Sequence, residues 1–239
     1  MTASIITGYY GKLPARGDFI QKNLAPEFIQ AWDSWLQNVI EISRNNLHEQ
    51  WLNYYLVSPI WRFYFTLQEN DIYTGIVLPS VDKVGRYFPL TVAANIKHYP
   101  AVSSFIMQNS PWYDAVENLA LQALQENISF EDFNSQVDAL LRYINIDQPQ
   151  SEYPSNTGFR VPLTNSASLD VALSLLSNQS PSELDPSRSY WWSVGSEQVA
   201  GNLISCRGLP DDNIYTAMLD GRWELCHMQQ LNASSFIPY

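Results

Sequence analysis

IWRFYFTLQENDIYTGIVLPSVDKVGRYFPLTVAANI, residues 60–96, is the stretch on which the fold turns. Ile60 to Leu67 is rich in aromatic and β-branched side chains and reads as a strand. Asn70-Asp71 is a turn dipeptide, and Tyr73 to Leu78 reads as the returning strand of a hairpin ended by Pro79. After a loop from Ser80 to Tyr87, Phe88 to Ile96 is again strand-like and largely apolar. Three strands within 37 residues form the centre of a sheet.

Working outward, Ile5 to Tyr10 is a β-branched and aromatic run that ends at Gly11 and feeds the loop Lys12-Leu13-Pro14-Ala15-Arg16-Gly17-Asp18. Pro26 at a helix start precedes Phe28, Ile29, Trp32, Trp35, Leu36, Val39 and Ile40, which recur at three- and four-residue steps along one face. A second helix fits Leu47 to Leu56, before Ser58-Pro59 breaks it. Beyond the hairpin, helical spacing covers Trp112 to Gln125 and Phe130 to Tyr143, with Ser129 and Asp132 as a capping pair for the latter. Residues 145–167 are rich in Pro, Asn, Ser and Gln and read as a long surface loop with room for a short strand. Leu169 to Leu176 reads as a short helix, Ser189 to Val194 and Asn202 to Cys206 as strands, and Ile214 to Leu219 as a last helix. This order predicts an α/β protein: one domain over residues 1–239, a three-layer α/β/α sandwich around a mixed sheet.

The chain of 239 residues is 46% apolar and 15% charged, which is the composition of a folding sequence and excludes disordered and collagen-like classes. Its 13 basic and 24 acidic residues give a net charge of −11, which opposes the phosphates of nucleic acid and anionic lipid. The first 100 residues hold 8 of each sign, so the excess acidity lies entirely in the rest. Neither an export signal nor a continuously apolar window of 18 residues is found, which predicts a cytoplasmic protein without membrane insertion. Cys206 and Cys226 read as reduced, buried small hydrophobes, and most of the eight Trp as core.

Catalytic signatures are mostly missing. No G-x-G-x-x-G or G-x-S-x-G occurs, and Gly8-Tyr9-Tyr10-Gly11-Lys12-Leu13 has neither the spacing nor the Ser/Thr of a phosphate loop. His48, His98 and His227 are scattered, and Asp211-Asp212 reads as a helix-start pair. What stands out is charge in apolar or turn-rich surroundings: Lys12, Arg16 and Asp18; Arg62 between Trp61 and Phe63; and Asp82, Lys83 and Arg86. Arg62 alternates to the face opposite its neighbours, so a covered sheet obliges its guanidinium to find a carboxylate, with Asp18 and Asp82 as the candidates. Arg62 and Arg86 are therefore read as architectural ion-pair residues. Lys12, Arg16 and Lys83 read equally as binding groups or as solvated charges.

At these residues the sequence resembles the type VI secretion-associated TagF (ImpM-like) proteins. The resemblance rests on Gly11-Lys12-Leu13-Pro14-Ala15-Arg16-Gly17-Asp18-Phe19, on Ser58-Pro59-Ile60-Trp61-Arg62-Phe63 and on Gly75 through Leu90, with a weaker match at Ser189-Tyr190-Trp191-Trp192. Lys83 stands where the family often has Arg, keeping the charge without the guanidinium fork. The resemblance implies a bacterial accessory protein that restrains assembly of the contractile secretion machine post-translationally, with a forkhead-associated scaffold protein as its partner. It implies no catalytic residue and no cofactor. The resulting expectation is a non-enzymatic regulator whose loops Lys12 to Asp18 and Ser80 to Tyr87 meet at one end of the sheet and bind the scaffold through Lys12, Arg16, Asp18, Asp82 and Lys83. Two alternatives remain: an enzyme holding a divalent cation between Asp18 and Asp82 to act on a phosphorylated substrate, and a structural subunit of the apparatus.

Overall fold

In a computed structural model of the chain, residues 5–68, 71–97, 102–145, 160–163, 185 and 187–230 are described. Their strands are β1 (Ile5–Gly11), β2 (Ile20–Lys22), β3 (Trp61–Gln68), β4 (Asp71–Leu78), β5 (Leu90–Lys97), β6 (Arg160–Leu163), β7 (Arg188–Gly195) and β8 (Ala200–Arg207). They form one sheet in the order β2-β1-β5-β4-β3-β7-β8-β6, in which the expected trio β5, β4 and β3 is central. The β3–β4 hairpin pairs Trp61 with Val77 through to Thr66 with Ile72. Residue 70 of its turn lies outside the described residues. Gly75 is required where β4 meets β5, because a Cβ there would stand 2.2 Å from the Val92 carbonyl oxygen.

The expected mixed sheet is corrected: every neighbouring pair is antiparallel among the described residues. Strand–helix alternation alone does not make parallel neighbours. The long helical connections here join β2 to β3 and β5 to β6, which are not adjacent, while the adjacent pairs β3–β4 and β7–β8 are joined directly.

Helices pack on both faces. Helix α1 (Pro26–Leu47) starts on its proline and buries Phe28, Trp32, Leu36, Val39 and Ile40 as the periodicity predicts. The second helix is shorter than expected. His48, at φ 47°, closes α1, a 3-10 turn follows, and α2 runs over Trp51–Val57. These helices join α6 (Asp212–Asp220) in one apolar cluster with Phe63, Phe65 and Trp191 of the sheet. The opposite cluster joins Tyr64, Val92 and Trp192 to α3 (Val102–Gln108), α4 (Ser110–Leu124) and α5 (Phe130–Ala139). Ser129 caps α5 by accepting the Asp132 N–H at 3.0 Å, and Asp211 caps α6 by accepting the Ile214 N–H at 2.9 Å.

Strand β2 and helix α3 were not anticipated. The first has only three residues, too few to show a period, and the second, VSSFIMQ, has no signature cap. The helix expected over Leu169 to Leu176 and most of the loop 145–167 lie outside the described residues. Cys206 and Cys226 are both buried and are not joined in a disulfide. Burial pushes the Cys206 thiol up to about 11. Among the described residues no helix is long and apolar enough to cross a membrane.

Candidate functional site

Two loops, 12–19 and 79–89, come together beside the ends of β1, β4 and β5, and Asp82 ties them to each other. Chain reversal begins at Gly11, which has φ 135° and would place any Cβ 2.1 Å from the Pro89 carbonyl oxygen, so only glycine fits. Next to it Lys12 is buried, and its Nζ donates to Asp82 Oδ2 at 2.9 Å. The same oxygen accepts from Arg86 Nε at 2.6 Å, while Oδ1 accepts the backbone N–H groups of Val84 and Arg86 at 3.0 and 2.9 Å. Two bonds to backbone carbonyls complete the brace: the Lys83 N–H donates to that of Arg16 at 2.9 Å, and the Arg86 side chain, through Nη2, to that of Gly17 at 2.6 Å. Ser80 Oγ donates to the Lys12 carbonyl at 2.7 Å, and Tyr55 of α2 both donates to and accepts from the Ser80 backbone at 3.0 Å.

Burial alone would push the Asp82 carboxyl up. The Arg86 N–H, the Lys12 ammonium, the Arg86 guanidinium and the Val84 N–H outweigh it and hold the group well below the usual carboxylate range. With two cations and two N–H groups on it, the carboxylate has its four acceptor positions occupied and offers none to a metal ion. Asp18, the other carboxylate of the cation reading, is exposed and accepts its neighbour's N–H, Phe19 to Oδ1, at 2.8 Å.

The residues expected at a partner surface therefore divide. Lys12 and Asp82 face inward as each other's partners, which corrects their assignment as contact residues: one buried charge demands the other. Arg16, Asp18 and Lys83 stay on the surface, where Arg16 reaches Glu131 at 2.7 Å and lies over the Phe130 ring at 4.2 Å. Phe19 and Val84, which the charge-based reading passed over, are 42% and 67% exposed beside them. Phe19 is held edge-on against Phe88 at 4.8 Å and stacked on Tyr10 at 5.6 Å, so its orientation is set from below.

Both arginines read as architectural are in ion pairs. Arg86 holds Asp82, as above. Arg62 does not meet Asp18 or Asp82. Its Nε donates to Glu117 Oε1 at 2.5 Å and its Nη2 to Asp114 Oδ1 at 2.7 Å. The correction follows from the face on which Arg62 lies: it shares that of Tyr64, over which α4 passes with two carboxylates spaced three residues apart.

The braced loops sit inside a segment, residues 8–140, that matches the family model for the TagF N-terminal domain, type VI secretion system-associated. The chain belongs to the TagF family. Its structure is also similar to the crystal structure of PA0076 from Pseudomonas aeruginosa PAO1, at 30% sequence identity and a TM-score of 0.72, over 91% of this chain and 95% of that one. A comparison with curated proteins finds no match. In this TagF-family chain the family segment contains both loops and strands β3 to β5, and the structural likeness extends beyond residue 140.

Proposed function

We propose that this type VI secretion-associated chain is a non-enzymatic, cytoplasmic, post-translational negative regulator that binds the forkhead-associated scaffold protein of the system and so restrains assembly. The proposal takes residues 1–239 as one domain, with the helices of the two apolar clusters as outer layers of a three-layer sandwich. One observation carries it. The Asp82 network spends its buried charges on holding two loops rigid, and the surface so held presents Arg16, Asp18, Phe19, Lys83 and Val84 together. A pre-ordered patch with apolar side chains ringed by charge loses little entropy on binding a protein and offers no reactive group.

The test is a pull-down of the scaffold from cells with an active secretion system, with effector release measured in parallel. Lys83→Glu combined with Val84→Asp alters only exposed side chains, so it should lower scaffold capture at least tenfold, raise effector release and leave the melting temperature unchanged. Undiminished capture with undiminished restraint of secretion rejects this surface.

A further inference from the structure

We propose that the cleft between the C-terminal ends of α1 and α6 binds an uncharged stretch of another polypeptide by its main chain. Contacts advance along both helices together: Trp35 Nε1 donates to the Pro210 carbonyl at 2.7 Å, Asn38 Nδ2 to Asp212 Oδ1 at 2.9 Å, and Asn46 Nδ2 to Thr216 Oγ1 at 3.5 Å. The helices therefore run the same way, and their ends lie side by side. There a cavity of about 490 Å³ opens, lined by Asn45, Asn46 and His48 from α1 and its cap and by Asn213, Thr216 and Arg222 across from them. Ligand pockets are commonly about 300–1,000 Å³. The side chains of Asn45, Asn213 and His48 make no hydrogen bond among the described residues, so their donors and acceptors are open to a ligand.

His48 is held there at a cost. Its φ of 47° and ψ of −127° belong to a region open to glycine and sparsely used by residues with a Cβ. The cap bond it supplies, N–H to the Arg44 carbonyl, is a main-chain bond that glycine would make as well, so capping the helix does not call for an imidazole. Lining the cleft does. The walls select a neutral ligand. Arg222 donates to the buried Asp220 carboxylate through Nε at 2.6 Å and its backbone N–H at 2.9 Å, so the guanidinium charge is already compensated, and the adjacent helix C-termini disfavour an anion. Each of the three side-chain amides combines an acceptor with donors, the complement of a peptide group's N–H and C=O. Among the described residues no aromatic ring lines the cleft, so a sugar would lack a flat apolar face to stack on. The cleft shares no residue with the loop surface proposed above, and its α6 side lies beyond residues 8–140.

The test titrates the nitrogen-15-labelled full chain with the capped peptide acetyl-Gly-Ser-Gly-Ser-amide and follows the side-chain NH2 signals of Asn45, Asn46 and Asn213 by NMR. Saturable shifts of all three are expected, with none from glucose or sodium acetate at the same concentration. Asn213→Ala changes an exposed side chain and should weaken binding at least about fivefold, by removing bonds made only to the peptide. His48→Gly relieves the backbone and removes the imidazole. It should leave Tm at or above that of the wild type while weakening binding at least about fivefold, a loss that a merely structural His48 would not produce. The proposal is overturned if the peptide gives no saturable shift, if glucose or acetate gives one instead, if either variant binds like the wild type, or if His48→Gly lowers Tm.

Discussion

Arg62 and Arg188 lie on neighbouring strands and, by side-chain alternation, on the same face of the sheet as Tyr64, Tyr190 and Trp192, yet their charges are treated in opposite ways. α4 crosses above Arg62 and lowers two carboxylates onto it; burial opposes its charge, but Glu117 and Asp114 outweigh that and raise its pKa. Among the described residues no helix brings a carboxylate to Arg188, which donates instead to the hydroxyl and carbonyl oxygens of Ser205. The loop network around Asp82 repeats the first solution with a buried carboxylate at its centre. A charge in an apolar strand is thus not in itself a functional signal. What passes over it decides whether it meets a carboxylate or only neutral oxygens.

The comparison can be broken most forcefully at the closed end. Asp82→Asn strips the partner from both Lys12 and Arg86 and should give the largest loss of stability among these variants, read as the urea midpoint at pH 7. Because the folded pKa of Asp82 is depressed, its contribution is present above the ordinary aspartate value of 3.8 and is lost as pH falls below it. The difference between wild type and variant should therefore narrow steadily below that pH. A difference that persists unchanged at pH 2 would mean that packing, and not charge, ties the loops.

Replacing each arginine by Met tests the contrast itself. Arg62→Met gives up two charge-assisted bonds and leaves Glu117 half-buried, at a cost of roughly 1–3 kcal/mol. Arg188→Met removes a largely buried charge that has no counter-ion among the described residues, so it should be close to neutral or stabilising. Equal losses in the two variants, measured by denaturant titration, would erase the distinction. The smallest effects sharpen the Arg62 side. Glu117→Gln should cost more than Asp114→Asn, since the side chains are 23% and 59% exposed; the exposed pair falls in the usual range of about 0.2–1 kcal/mol.

Much of the frame was readable before any coordinates. Pro26 and the Phe28-to-Ile40 stripe located α1, the aromatic runs on either side of residue 70 located the central hairpin, and Ser129 marked the start of α5. Of the site, the two loops and their meeting were legible from their Gly and Pro residues and clustered charge. The division of that cluster was not: nothing in the linear order distinguishes Lys12, folded inward, from Lys83, left outside. Phe19 and Val84 went unread because an apolar residue in a loop carries no local mark of exposure. Arg188 was passed over, although a cation heading the apolar run Tyr190-Trp191-Trp192 was a signal of the same kind as Arg62.

Where strands and helices form is written in the order of residues, because backbone propensity, side-chain period and capping act over a few neighbouring positions. Strand direction and charge pairing belong to the tertiary structure. The carboxylates that neutralise Arg62 lie 52 and 55 residues further along, and Lys12 meets Asp82 across 70. Only the docking of α4 on the sheet and of one loop on the other brings these groups within reach, and Coulomb attraction between buried charges depends on distance in space and on the dielectric around them, neither of which is a property of sequence separation.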